Sequence, residues 1–266
     1  MSNEEPEVYE KTARSTVNRY RPRAKYDHET IHGIIDSSLV LHVSFNPTSI
    51  DEDPFPTILP MLGCTGSYTA DGAEETSATA IYLHGHIASR FMKLPNSPSV
   101  HDQALPGVPV CVAATHVDGI ILAITPFNHS CNYRSAVIHG YATLVEDPGE
   151  KMYALKLMTD NIVPERWDNS RVPPTEAEMK STGVIRVDIV SASAKIRAAP
   201  PGSDKTDVAD EETRKRVWTG SVPTHIKYGT PVPAGENVKA EVPNYITNWI
   251  SEENSKGEIY SRKIVS

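Results

Sequence analysis

VPVCVAATHVDGIILAITPF, residues 108–127, is the most apolar stretch of the chain, and its reading decides the fold. It is about the length of a membrane span. As a spanning helix it would hold Asp118 near its centre, at a cost of roughly 2.5–3.5 kcal/mol on insertion scales. The Asp118-Gly119 pair between two β-rich runs points to strands instead. VPVCVAATH and IILAIT are expected to form a hairpin around Val117-Asp118-Gly119. The protein is therefore read as soluble, with a β-rich core and no membrane partner.

The chain after this stretch, PFNHSCNYRSAVIHGYA (126–142), opens polar and closes apolar. Asn128, His129, Ser130, Asn132 and Arg134 would each need a partner if buried. SAVIHGYATLVE (135–146) is apolar on both faces and is expected to be a central strand. On the N-terminal side, Asp27 is a good N-cap for a short helix from His28 to Ser37, with Ile31, Ile34 and Ile35 on one face. LVLHVSF (39–45) alternates as a half-buried strand. PFPTILPML (54–62) carries prolines at its ends and is placed near an edge. Residues 63–78, rich in Gly, Ser, Thr and acids, are expected to be a loop. AIYLH (80–84) is a strand, and HIASRFMKL (86–94) has helical spacing in Ile87, Phe91 and Leu94. NSPSVHDQALPG after it is read as loop.

Further on, Met152, Leu155, Met158 and Ile162 share a face of a helix over 149–162. Thr175 and Glu178 form a capping box. GVIRVDIV (183–190) alternates, 200–212 is a solvated loop, and short apolar islands follow at 216–223 and 242–250. About seven strands joined by hairpins and short loops predict an antiparallel barrel or sandwich with accessory helices. A doubly wound sheet is excluded, because regular strand–helix alternation and a Gly-rich first turn are missing.

Composition fits this class. The 266 residues are 39% apolar and 23% charged, long enough for a sizeable core. A net charge of −8 argues against a nucleic-acid partner, though a local basic pocket for a phosphate is compatible with it. MSNEEPEVYEK is acidic and has no apolar secretory segment. Cys64, Cys111 and Cys131 have neither disulfide nor zinc spacing and suit a reducing, cytoplasmic setting.

The strand–Gly–helix junction at 80–94 carries the best local chemistry. A helix N-terminus with Ser89 and the forked donor of Arg90 suits a phosphate, and Gly85 allows close backbone approach. The plainer alternative is a surface helix with a solvated arginine. His84 and His86 at i, i+2 could share a metal, but no further ligand lies near, so one lining a pocket and the other exposed is the simpler reading. His129, Ser130 and Cys131 do not make a hydrolase, because neighbours in extended chain point apart and no nucleophile elbow is present. Trp218 is either core or the wall of a flat ligand site.

Six segments in register then carry a resemblance: RYRPRAKYDHETIHGIIDSSLVLHVSF, IYLHGHIASRFMK, DGIILAITPFNHSCNYRSAVIHGYATLVED, IVPERW, SAKIRAAPP and VWTGSVP. Together they resemble the FMN-binding split-barrel proteins related to pyridoxamine 5′-phosphate oxidase, in the flavin-nucleotide-binding branch that includes nitroimidazole-resistance proteins. The resemblance covers residues 19–223, leaving a flexible N-terminal segment (1–18) and a C-terminal extension (224–266) outside it.

It implies a six-stranded split barrel, with FMN shared at a homodimer interface. Ser89 and Arg90 match the residues that hold the flavin phosphate, with Lys93 a weaker candidate. The backbone of Leu83, His84 and Gly85, and the strand Ile58–Met61, would lie along the ring and ribityl chain. Asn132, Tyr133, Arg134 and Ser135 form the branch's signature beside the flavin, and Trp218 matches a tryptophan reaching it from the partner chain. The chain departs from true pyridoxamine phosphate oxidases in two places. PTILPML lacks their Arg and Lys, and Thr-Gly-Ser-Val-Pro replaces their Arg-x-His after the tryptophan. The implied function is an FMN-dependent oxidoreductase exchanging electrons with a small flat acceptor, with no residue assigned as catalytic. A flavin carrier or sensor without turnover, and a haem-binding split barrel, are the alternatives.

Overall fold

The structure, a computed structural model, describes residues 7–47, 53–69, 78–97 and 105–265. The expected loops at 63–78 and 96–107 therefore lie in part outside the described residues, as does the start of the N-terminal segment. The chain is mainly antiparallel β-sheet with accessory helices. In order it runs β1 (Ala24–Lys25), α1 (His28–Asp36), β2 (Leu41–Phe45), β3 (Thr57–Met61), β4 (Gly63–Gly66), β5 (Ala80–His86), α2 (Arg90–Lys93), β6 (Val108–Leu122) and β7 (Ser130–Leu144). Then follow α3 (Pro148–Ile162), α4 (Glu176–Ser181), β8 (Thr182–Arg197), α5 (Lys205–Ala209), α6 (Glu211–Arg216), β9 (Gly220–Pro223) and α7 (Asn244–Lys263).

The sheet order is β3–β2–β6–β7–β8–β5–β4, with β1 on β8 and β9 on β6. Nine strands thus stand where six were expected, and the hydrogen-bonded path ends at β3 and β4. β7 lies at the centre and β3 at the edge, as their patterns required. The described residues cluster into two units, one of residues 1–115 and 135–194, the other of 116–134 and 195–266, with boundaries inside β6, β7 and β8.

In the first unit, Asp27 caps α1 by accepting from Thr30 N at 2.9 Å, and Ile31, Ile34 and Ile35 are buried. At the other end of α1, Asp36 accepts from both Thr65 N and Thr65 Oγ1 at 2.7 Å, fastening the helix to β4. β4 occupies part of the expected loop. Gly63–Gly66 pairs with β5, and a Cβ at Gly63 would stand 2.5 Å from Tyr82 O, so the glycines that suggested a loop instead permit close strand approach. β5 pairs on its other side with β8, Leu83 opposite Ile185. Tyr82 donates to Glu150 on α3 at 2.7 Å, and Arg186 of β8 reaches the same carboxylate at 3.1 Å. Tyr9 donates to or accepts from His32 Nε2 at 2.6 Å, tying residues near the N-terminus to α1.

In the second unit, β9 pairs with the end of β6, Ile120 opposite Val222. Two short helices, α5 and α6, occupy most of the expected solvated loop, and Asp210 caps α6 by accepting from Thr213 N. The apolar island at 242–250 leads into the 20-residue helix α7, whose N-cap is Pro243. There Asn254 bonds both N and O of Tyr228, whose ring packs on Trp249 at 4.5 Å.

The stretch that opened the sequence reading is not a hairpin. β6 runs unbroken through Val117-Asp118-Gly119, and the reversal comes at Pro126–Asn128. Two contacts explain this. Asp118 is buried but paired with an arginine, and a Cβ at Gly119 would meet Val265 Cγ1 at 2.8 Å and Val222 O at 3.3 Å. Asp-Gly here marks a paired charge and a close approach, not a turn.

Candidate functional site

The residues singled out by sequence fall into two groups, one in each unit. In the first unit, β5 ends by presenting Leu83, His84 and Gly85, and the chain then turns into α2. Leu83 is fully buried, so its backbone rather than its side chain is what a ligand would meet. Gly85 faces Met92 Cε and Met61 Cε, 3.0 and 3.8 Å from where a Cβ would stand, which brings Met61 of β3 to the same place.

The helix here is shorter than its pattern suggested. His86 continues β5 opposite Thr182, Ala88 N donates to His86 Nδ1 at 3.1 Å, and α2 covers only Arg90–Lys93. Ser89 is its N-cap and accepts from Met92 N at 3.4 Å. A one-turn helix has little dipole, so attraction for an anion rests on side-chain charge. Arg90 and Lys93 supply it. Both are exposed, and among the described residues no hydrogen bond or ion pair engages either side chain.

His84 is half-buried, and burial pushes its imidazole below the ordinary histidine value, so it is neutral at neutral pH. Its side chain lines a cavity of about 240 Å³ with Leu155, Met158, Ile162 and Trp167. His86 is exposed. The two histidines thus divide as the simpler reading had it. Among the described residues, no three His, Cys, Asp or Glu come together to hold a metal ion.

In the second unit, the signature residues meet protein partners. Arg134 forks onto Asp118, Nε to Oδ2 at 2.9 Å and Nη2 to Oδ1 at 2.8 Å, and lies 4.2 Å from the ring centroid of Tyr260 on α7. Asn132 is fully buried. Its Oδ1 accepts from Arg197 and, at 3.2 Å, from Ala199 N, while its Nδ2 donates to Ile264 O at 3.4 Å. His129 Nδ1 sits 3.0 Å from Thr125 O and 3.4 Å from Ala123 N, closing the turn between β6 and β7. Tyr133 is half-buried beside these residues in sequence, and Ser135 begins the stretch of β7 that belongs to the first unit. Trp218 is two-thirds exposed, its ring standing over Gly220, 2.5 Å from where a Cβ would sit.

Asp118, Arg197 and Tyr260 were missed as partners. One signal was available: β6 and β7 are equidistant from Pro126, and so are Asp118 and Arg134. Folding the chain about Pro126 rather than Gly119 levels the two charges.

Comparison with known proteins places this geometry. Residues 27–196 match the family described as pyridoxamine 5′-phosphate oxidase. Among solved structures, the flavocytochrome Anf3 from Azotobacter vinelandii is similar with a TM-score of 0.71 and 27% identity, over 90% of this chain and 97% of that one. The FAD and heme binding protein from Mycobacterium smegmatis is similar in fold, with a TM-score of 0.65 and 23% identity, over 85% of this chain and 97% of that one. No curated protein sequence matches the chain. With more than half its length matched, the chain belongs to the pyridoxamine 5′-phosphate oxidase family.

Proposed function

We propose that this protein binds a flavin nucleotide and uses it for electron transfer with a small flat acceptor. The observation that carries the reading is the pairing of the family match over 27–196 with two cationic side chains, Arg90 and Lys93, that no partner engages among the described residues, beside the Ser89 cap and Gly85. A phosphate there would give those charges the partner they lack in the described chain. Leu83, His84, Gly85 and Met61 would border the ring and ribityl chain. The phosphate site serves FMN, and equally the first phosphate of FAD. When bound, the flavin supplies one- and two-electron chemistry. The chain's own residues bind it and orient it, and His84 contributes its backbone alone, because its side chain lines the cavity with Leu155 and Met158, on the face of β5 opposite to the Gly85 Cβ position near Met61.

The protein is not a pyridoxamine phosphate oxidase in this proposal. β3 carries no Arg or Lys, and no Arg-x-His follows Trp218. A homodimer sharing the flavin is part of the proposal. Phe55 and Ile58 stand exposed at the β3 edge, and Trp218 is exposed in the second unit, large apolar groups that a partner copy would cover.

Haem as a second bound group is supported by one observation. The similar structure with 27% identity, matched over 90% of this chain, is named a flavocytochrome. The test is the absorption spectrum of the purified protein, with the mass of whatever acid releases from it. Flavin bands with a released FMN or FAD are expected, and a haem band beside them supports the second group. A colourless protein that does not quench added flavin would overturn the proposal. Gel filtration tests the dimer, since a monomer that retains flavin firmly would contradict a shared site.

A further inference from the structure

A second cavity, of about 250 Å³, lies in the first unit against β2, β6 and β7. It has two characters. Phe45, Pro56, Pro109, Val110 and Val190 give it apolar walls. Arg14, Ser44, Asn46 and His139 give it a polar side, and no carboxylate among the described residues lines it. Arg14 is exposed and has no hydrogen bond or ion pair among the described residues. His139 Nδ1 is buried without a hydrogen-bond partner. Such orphaned atoms are uncommon in folded proteins, because leaving them unpaired is costly. Burial, and the charge of Arg14 nearby, hold His139 below the ordinary histidine value, so its ring is neutral at neutral pH. Cys111 also lines the cavity, but burial raises its thiol, so a thiolate has no part here.

One cation, neutral polar groups and an apolar wall suit a monoanion with an apolar body. We propose that this cavity binds a small monocarboxylate with an aromatic or branched aliphatic body, its carboxylate on Arg14 and its body against Phe45 and Val110. A phosphate dianion would ask for more than one cation. The volume equals about eight liquid waters, which sets the ligand at the size of benzoate. The inference does not depend on flavin binding, because its residues are distinct from those around Ser89 and Arg90.

The test is calorimetric titration of the full chain with benzoate, benzamide and inorganic phosphate, on the wild type and on Arg14→Gln, an exposed substitution that leaves the core intact. Benzoate is expected to bind about tenfold or more tightly than benzamide, and Arg14→Gln to remove that preference while leaving benzamide unchanged. In ¹⁵N-histidine spectra benzoate should move the ring signals of His139, assigned by their loss in His139→Gln. Equal affinity for benzoate and benzamide, tighter binding of phosphate, an Arg14→Gln variant that keeps the preference, or an unmoved His139 would each overturn the proposal.

Discussion

Asp118→Asn is the sharpest test of how β6 is held. The substitution keeps shape and removes one charge. The Asp118 side chain is 5% exposed and that of Arg134 25%, and two charge-assisted hydrogen bonds join them. Without the carboxylate, the guanidinium keeps its contact with the Tyr260 ring but no anion among the described residues. Breaking a buried pair from one side costs about 3–5 kcal/mol, and the quarter exposure of Arg134 brings the expectation to about 2–3 kcal/mol. Arg134→Met should cost about 3 kcal/mol or more, because the carboxylate it strands is the more deeply buried partner. The double variant should cost less than the sum, with a coupling of about 1–3 kcal/mol. Urea unfolding followed by circular dichroism measures all three, provided the m value is unchanged. If Asp118 sat in an exposed turn, Asp118→Asn would shift stability by no more than about 0.5 kcal/mol. That result, or strict additivity, would refute the ion-pair account of β6.

Other outcomes follow from single contacts. Arg90→Ala should weaken flavin binding by about 1.5–3 kcal/mol, read by fluorescence titration, with little change in stability, since Arg90 is exposed. Unchanged affinity would move the phosphate elsewhere. Gly140→Ala should destabilise by about 1–3 kcal/mol or more, because its Cβ would stand 2.2 Å from Asp188 O in the middle of the sheet. Equal thermal stability would show that β7 and β8 separate easily there. His32 is nearly buried, and burial, with His28 nearby, lowers its imidazole to about 4. Because its folded value lies below the unfolded one, its contribution is fully present above about pH 6.5, fades as pH falls, and is gone below about 4. Its size is about 3 kcal/mol. Comparing acid unfolding of the wild type with His32→Gln isolates this term, and parallel pH curves would contradict it.

Local signals were legible where local chemistry decides. Asp27 and the Thr175–Glu178 box cap helices as read, because a capping side chain bonds only three residues on. The two-sided apolarity of β7 placed it at the sheet centre, and the prolines around β3 placed that strand at the edge. What failed depended on distant partners. Asp118-Gly119 imitates a turn, and only Arg134, Val222 and Val265 make it strand. Ile87, Phe91 and Leu94 imitate one helix, but pairing of His86 with Thr182 extends β5, and Ser89 starts the helix late. The candidate site divides the same way. Ser89 at the start of a helix and an exposed Arg90 after it were legible from residue type and spacing, and their hold on a phosphate is the proposal. The partners of Asn132 and Arg134 were not, because they come from Arg197 and Asp118.

The central claim is flavin binding at the β5–α2 junction. The most direct measurement is flavin bound per chain after titration and gel filtration, for the wild type and for Arg90→Ala with Lys93→Ala. The account predicts one flavin per wild-type chain and a marked loss of retained flavin in the double variant. A wild-type chain that retains none, or a variant that retains as much as the wild type, would contradict it.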